Sequence, residues 1–155
     1  MDGVGVADRP LVYARTRVAA ADWVQAIQAA CEPLLRAGCA SSHYAQRCVD
    51  LVREHGPYIV LAPGVALAHA RPEDGARRLA LSAVTLRRAV AFGHSTNDPV
   101  RVVLAFASPD AQAHLGLLAA LARRLADGLI ETLRDAPSDA VAAALLQEVV
   151  DNVDR

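Results

Sequence analysis

The chain has 155 residues, of which 54% are hydrophobic and 21% charged, and a net charge of −1. That length suits one domain with a real core, and the apolar fraction excludes a disordered chain. The near-neutral charge, with basic residues scattered as pairs such as Arg77–Arg78 and Arg123–Arg124, excludes a nucleic-acid footprint or a patch for anionic membranes.

The three cysteines, Cys31, Cys39 and Cys48, form no CxxC. This predicts a reducing compartment and no cysteine-based zinc site. No basic-plus-apolar signal opens the sequence, and no apolar run reaches the ~18–20 residues of a membrane span. A soluble, cytoplasmic protein with no direct membrane insertion is expected.

Residues 1–10 are unpatterned and read as a flexible N-terminal segment, leaving 11–155 as the domain. Leu11–Val18 alternates loosely and reads as a strand. Asp22 is a natural N-cap for a helix over 22–36, with Trp23, Ala26, Ile27, Ala30 and Leu34 as its apolar stripe and Gly38 as its stop. Ser41 or Ser42 caps a second helix over 44–54, closed by Gly56–Pro57. Short apolar runs follow at 58–61 and, after a Pro63–Gly64 turn, at 65–70. Further strands are expected at 79–86 and 89–92, separated by Arg87–Arg88. Val100–Ala107 reads as a strand buried on both faces. Ser108–Pro109 opens a helix to about 127. A short helix at Leu129–Arg134 and a final one over 138–152 complete the pattern. Helices, strands, then helices predict a single α/β domain with a mixed sheet sandwiched between helices.

Three residues stand out chemically. In an extended 65–70, Val65, Leu67 and His69 share one face, so His69 ends an apolar row at the mouth of the sheet. His114 lies on a helical stripe with Ala111, Leu118, Leu121 and Leu125. Either histidine is explained without function as a core imidazole with one backbone hydrogen bond. Arg53 ends the second helix, where a cation suits the helix dipole. Beside a reactive histidine, its planar fork would instead bind phosphate oxygens.

The stretch from Gly56-Pro57-Tyr58 through Ala62-Pro63-Gly64 to His69-Ala70-Arg71-Pro72 and Gly75 resembles the active-site signature of enzyme IIA domains of the sugar phosphotransferase system, fructose–mannitol class. Its spelling looks most like the ascorbate-type subgroup. Phe92-Gly93, Asn97-Asp98-Pro99-Val100, Pro109-Asp110 and His114-Leu115 follow in the family order, so the resemblance spans about 11–150. It implies an enzyme IIA mannitol/fructose-type fold, with His69 as the phosphorylated histidine, His114 as the second active-site histidine and Arg53 as the active-site arginine. Ala68 departs from the family pattern, which has proline before the phosphorylated histidine. Proline would fix the backbone and remove an N–H, so Ala68 bears on efficiency.

The resemblance further implies a phosphoryl carrier between the phosphocarrier HPr and a cysteine of an enzyme IIB domain, serving a membrane IIC transporter, and it leaves a homodimer open. The family implies Nε2 as the nucleophile. The chemistry asks for a neutral imidazole and for charge stabilisation at a loose transition state, and it calls for no metal or cofactor. A regulatory module sensed through its phosphorylation state would use the same histidine. A metal site built from His69, His114 and one of His43, His55 or His94 is a further alternative, unsupported by any HExxH spacing.

Overall fold

The computed structural model describes residues 11–151. The expected flexible segment 1–10 lies outside the described residues. Five strands, β1 (Leu11–Val18), β2 (Val60–Ala62), β3 (Val65–Ala68), β4 (Ala80–Val90) and β5 (Val100–Ala107), form one sheet in the order β1-β4-β5-β3-β2. β1 runs parallel to β4, and β3 parallel to β5. The pairs β4–β5 and β2–β3 are antiparallel. Five helices are described: α1 (Trp23–Arg36), α2 (Ser42–His55), α3 (Ala111–Ala126), α4 (Leu129–Arg134) and α5 (Asp139–Asp151).

Local chemistry sets the helix starts. The Asp22 carboxylate accepts from the Gln25 amide at 2.9 Å, the Ser41 hydroxyl from the Tyr44 amide at 3.2 Å, and the Ser138 hydroxyl from Val141 at 3.2 Å. Each satisfies an N–H that the helix itself cannot.

Packing follows from side-chain alternation. One face of the sheet presents Ala66, Ala68, Ala80, Ala105 and Ala107, interleaved with larger Val84, Leu86, Val100 and Val103, to α1 and α2. The other face presents Val65, Leu67, Leu81, Leu104 and Phe106 to α3, α4 and α5. A fully buried leucine such as Leu104 contributes about 1.5–3 kcal/mol relative to exposure. Two apolar layers on one sheet are the expected sandwich.

Several boundaries differ from expectation. β4 is one strand through Arg87–Arg88 to Val90, with a register shift between Thr85 and Val90. The two arginines are exposed, so their charge breaks the apolar pattern without ending the strand. β3 stops at Ala68 rather than at residue 70, and β2 lies at Val60–Ala62 rather than 58–61. The helix expected from Ser108 starts at Ala111. The Ser108 hydroxyl donates to the Asp110 carbonyl at 2.8 Å, forming a local turn ahead of the helix.

Candidate functional site

His69 stands one residue beyond β3. The alternation that turns Val65 and Leu67 toward the α3–α5 layer carries His69 the same way, and its ring stacks on Phe106 with centroids 5.5 Å apart and planes at 17°. Tyr58 meets the imidazole edge-on at 6.1 Å, and His55 meets Tyr58 edge-on at 6.2 Å. This run of rings descends from Tyr58, 43% exposed, to fully buried Phe106. The imidazole is held between a wall and a core residue.

His69 Nδ1 lies 3.0 Å from the Leu67 carbonyl oxygen. A carbonyl can only accept, so Nδ1 carries the proton and, in the neutral ring, the lone pair is on Nε2. Burial pushes the His69 pKa below its ordinary value, opposed by the bond to Leu67, which favours the protonated ring. The net direction keeps the ring neutral and nucleophilic.

His69 opens into a cleft of about 390 Å³ that it shares with Leu51, His55, Tyr58, Arg71 and Pro72. Two histidines, a tyrosine and an arginine are thus among its lining residues. Such a set can donate hydrogen bonds to an anion bound at the His69 ring.

The other two expected residues are placed differently. The Arg53 guanidinium lies over the Trp23 ring at 5.9 Å and 3.9 Å from Asp50, with its side chain 56% exposed. Arg53 is not among the residues lining the cleft. His114 sits on α3, and its side chain lies outside the described residues. In the sequence, Tyr58 and Arg71 fall within the signature stretch without a role of their own, and His55 enters only as one possible third ligand of the alternative metal site. A usable signal existed: Gly56–Pro57 forces a turn between His55 and Tyr58, bringing both rings to the end of α2 where β2 begins.

Among the described residues, no group of three or more His, Cys, Asp or Glu side chains could hold a metal ion. All three cysteines are buried, in α1, in α2 or just after α1. Among the described residues, no helix is long and apolar enough to cross a membrane.

Residues 13–149 match the family described as phosphoenolpyruvate-dependent sugar phosphotransferase system, EIIA 2. The chain belongs to this family. It is 38% identical over 100 residues to the ascorbate-specific PTS system EIIA component of Shigella boydii, covering 64% of this chain and 65% of that protein. The match therefore spans just under two thirds of that relative's length. Among solved structures, the mannitol-specific cryptic phosphotransferase enzyme IIA CmtB of Escherichia coli superposes with a TM-score of 0.78 at 32% identity, covering 88% of this chain and 92% of that one. The complex of enzyme IIAMTL and phosphorylated enzyme IIBMTL of Escherichia coli shares the fold, with a TM-score of 0.72 at 22% identity over 90% of this chain and 94% of that one. The mixed five-stranded sheet between helical layers is thus the mannitol-type enzyme IIA fold.

Proposed function

We propose that this EIIA family member is a phosphohistidine carrier in sugar uptake, taking its phosphoryl group from phosphorylated HPr onto His69 and passing it to an enzyme IIB cysteine. The observation that carries this reading is the His69 ring itself. It is tethered through Nδ1 to Leu67, kept neutral by burial, and opens into a cleft. In the first step, the Nε2 lone pair forms a bond to phosphorus as the donor's N–P bond breaks, and the donor imidazole keeps the electron pair. The second step repeats the exchange toward a thiolate.

Phosphoryl transfer depends on positioning and on stabilising charge spread over three oxygens. His55, Tyr58 and Arg71 already face the cleft and supply donors there. Arg53 would join them by leaving the Trp23 face, and His114 would donate a hydrogen bond to the phosphoryl group. Half-exposed Tyr58 gives the cleft an apolar rim against which a partner protein can pack. The Shigella relative's name supports an ascorbate-like sugar, and the complex of enzyme IIAMTL with phosphorylated enzyme IIBMTL supports a IIB partner. A membrane IIC transporter would complete the system. The carrier would work in the cytoplasm, where phosphorylated HPr is made.

Incubation with enzyme I, HPr and labelled phosphoenolpyruvate tests the assignment. His69→Ala abolishes labelling; undiminished labelling of that variant refutes it. His114→Ala still accepts phosphate but transfers it onward more slowly, and complete loss of acceptance would reverse the two roles.

A further inference from the structure

Tyr44 is an unusual residue to find beneath a reactive histidine. It lies in the first turn of α2, 1% exposed. Its hydroxyl oxygen accepts from the Ala70 amide at 3.0 Å. Its single proton has two carbonyls in range, Phe106 at 2.7 Å and Ala70 at 3.3 Å, and the shorter contact to Phe106 takes it. Burial pushes the phenol pKa upward, so the donor form persists.

The two backbone groups joined this way bracket His69. Ala70 follows it in the chain, and Phe106 carries the ring on which the imidazole stacks. The β3–β5 register ends with Ala68 opposite Ala105. Continued by two residues, that parallel ladder would set Ala70 opposite Ala107 and aim the Ala70 N–H at the Phe106 carbonyl. That rung is missing as a direct bond. The Tyr44 hydroxyl occupies it, accepting from one strand and donating to the other. This insertion accounts for β3 ending two residues earlier than its sequence pattern.

We propose that Tyr44 is a positioning residue for phosphoryl transfer: its hydroxyl, inserted as a rung between β3 and β5, spreads the strands at the exit of β3 and sets the His69 imidazole at the cleft. This deepens the phosphocarrier reading and rests on it. Removing the hydroxyl leaves two outcomes for the backbone. Ala70 and Phe106 either close into a direct rung, drawing His69 inward, or stay apart with buried polar groups unpaired. The first displaces the ring, and the second removes the tie that holds it in place. A misplacement of about 1 Å costs up to roughly a hundredfold in rate.

Tyr44→Phe is the test, with two readouts. The first is the rate of phosphate acceptance from phosphorylated HPr as donor concentration is varied. The second is the NMR spectrum of the His69 ring, whose proton shifts report the stacked Phe106 and whose nitrogen shifts report the Nδ1–H tautomer. The expected result is a fall of about tenfold to a hundredfold in the saturating rate at unchanged donor KM, together with displaced His69 ring signals. Fluorotyrosine at position 44, which keeps the hydroxyl, restores both. A wild-type saturating rate with unmoved ring signals in the folded Tyr44→Phe protein overturns the proposal. Should that variant not fold, replacing the Ala70 amide by an ester deletes the N–H and keeps the phenol, and the same two readouts decide. If the unsubstituted protein accepts no phosphate on His69, the phosphocarrier reading fails. The ring signals still decide whether Tyr44 positions His69.

Discussion

At His69, burial and a backbone tether act in opposite directions, and burial prevails. Its pKa is lowered by desolvation and raised in part by the Leu67 carbonyl. The folded chain therefore binds this proton at lower pH than the unfolded chain, whose histidine titrates near ~6.5. The sign follows from linkage. The stability associated with neutral His69 is complete above the unfolded value and is lost as pH falls from there through the folded pKa. Phosphate acceptance, which needs the neutral ring, should likewise persist below the ordinary histidine value. An NMR titration of the ring is expected to give a midpoint below that of a free histidine. A midpoint above it would mean that the carbonyl bond or a nearby anion outweighs burial. The candidacy of His69 was legible because period-two alternation ends on it. The fate of Arg53 was not, because its contact with Trp23 joins two different helices. Tyr44's reach to Ala70 and Phe106, 26 and 62 residues away, leaves no trace in local pattern.

At the scale of elements, the site depends on how the turn after His69 is fastened to α2. The one-turn 3-10 helix Pro72–Asp74 ends at Gly75, whose φ is +119°. The Gly75 carbonyl accepts from the Ser41 amide at 3.0 Å, while the Ser41 hydroxyl caps α2 at Tyr44. A Cβ on Gly75 would collide with that hydroxyl. Gly75→Ala thus combines left-handed backbone strain of roughly 1–2 kcal/mol with loss of a cap worth about 1 kcal/mol. The expected outcome is a lowered denaturant midpoint at unchanged slope; an unchanged midpoint would show that the turn relaxes freely. Helix starts at Asp22, Ser41 and Ser138 were readable because a cap is a contact over a few residues. The length of β4 was misread because two exposed arginines interrupt its apolar run. The end of β3 was misread because a side chain from α2 occupies the next rung.

At the scale of the molecule, the sheet order had no local signature, since parallel pairing of β1 with β4 and of β3 with β5 is decided by crossovers. Its consequence is functional. The C-terminal ends of β3 and β5 lie side by side, which sets His69 against Phe106. The end of α2 and the turn into β2 then close the cleft with His55 and Tyr58. Chain order, two-sided packing and the tethered His69 imidazole together make the surface that a phosphorylated protein would address. The most direct measurement is to load the protein from phosphorylated HPr and locate the acid-labile phosphate by phosphorus and nitrogen NMR of the histidine rings. The account predicts one phosphoryl group, on Nε2 of His69. Phosphate on Nδ1 of that ring, or on His55, His114 or any other histidine, would contradict it.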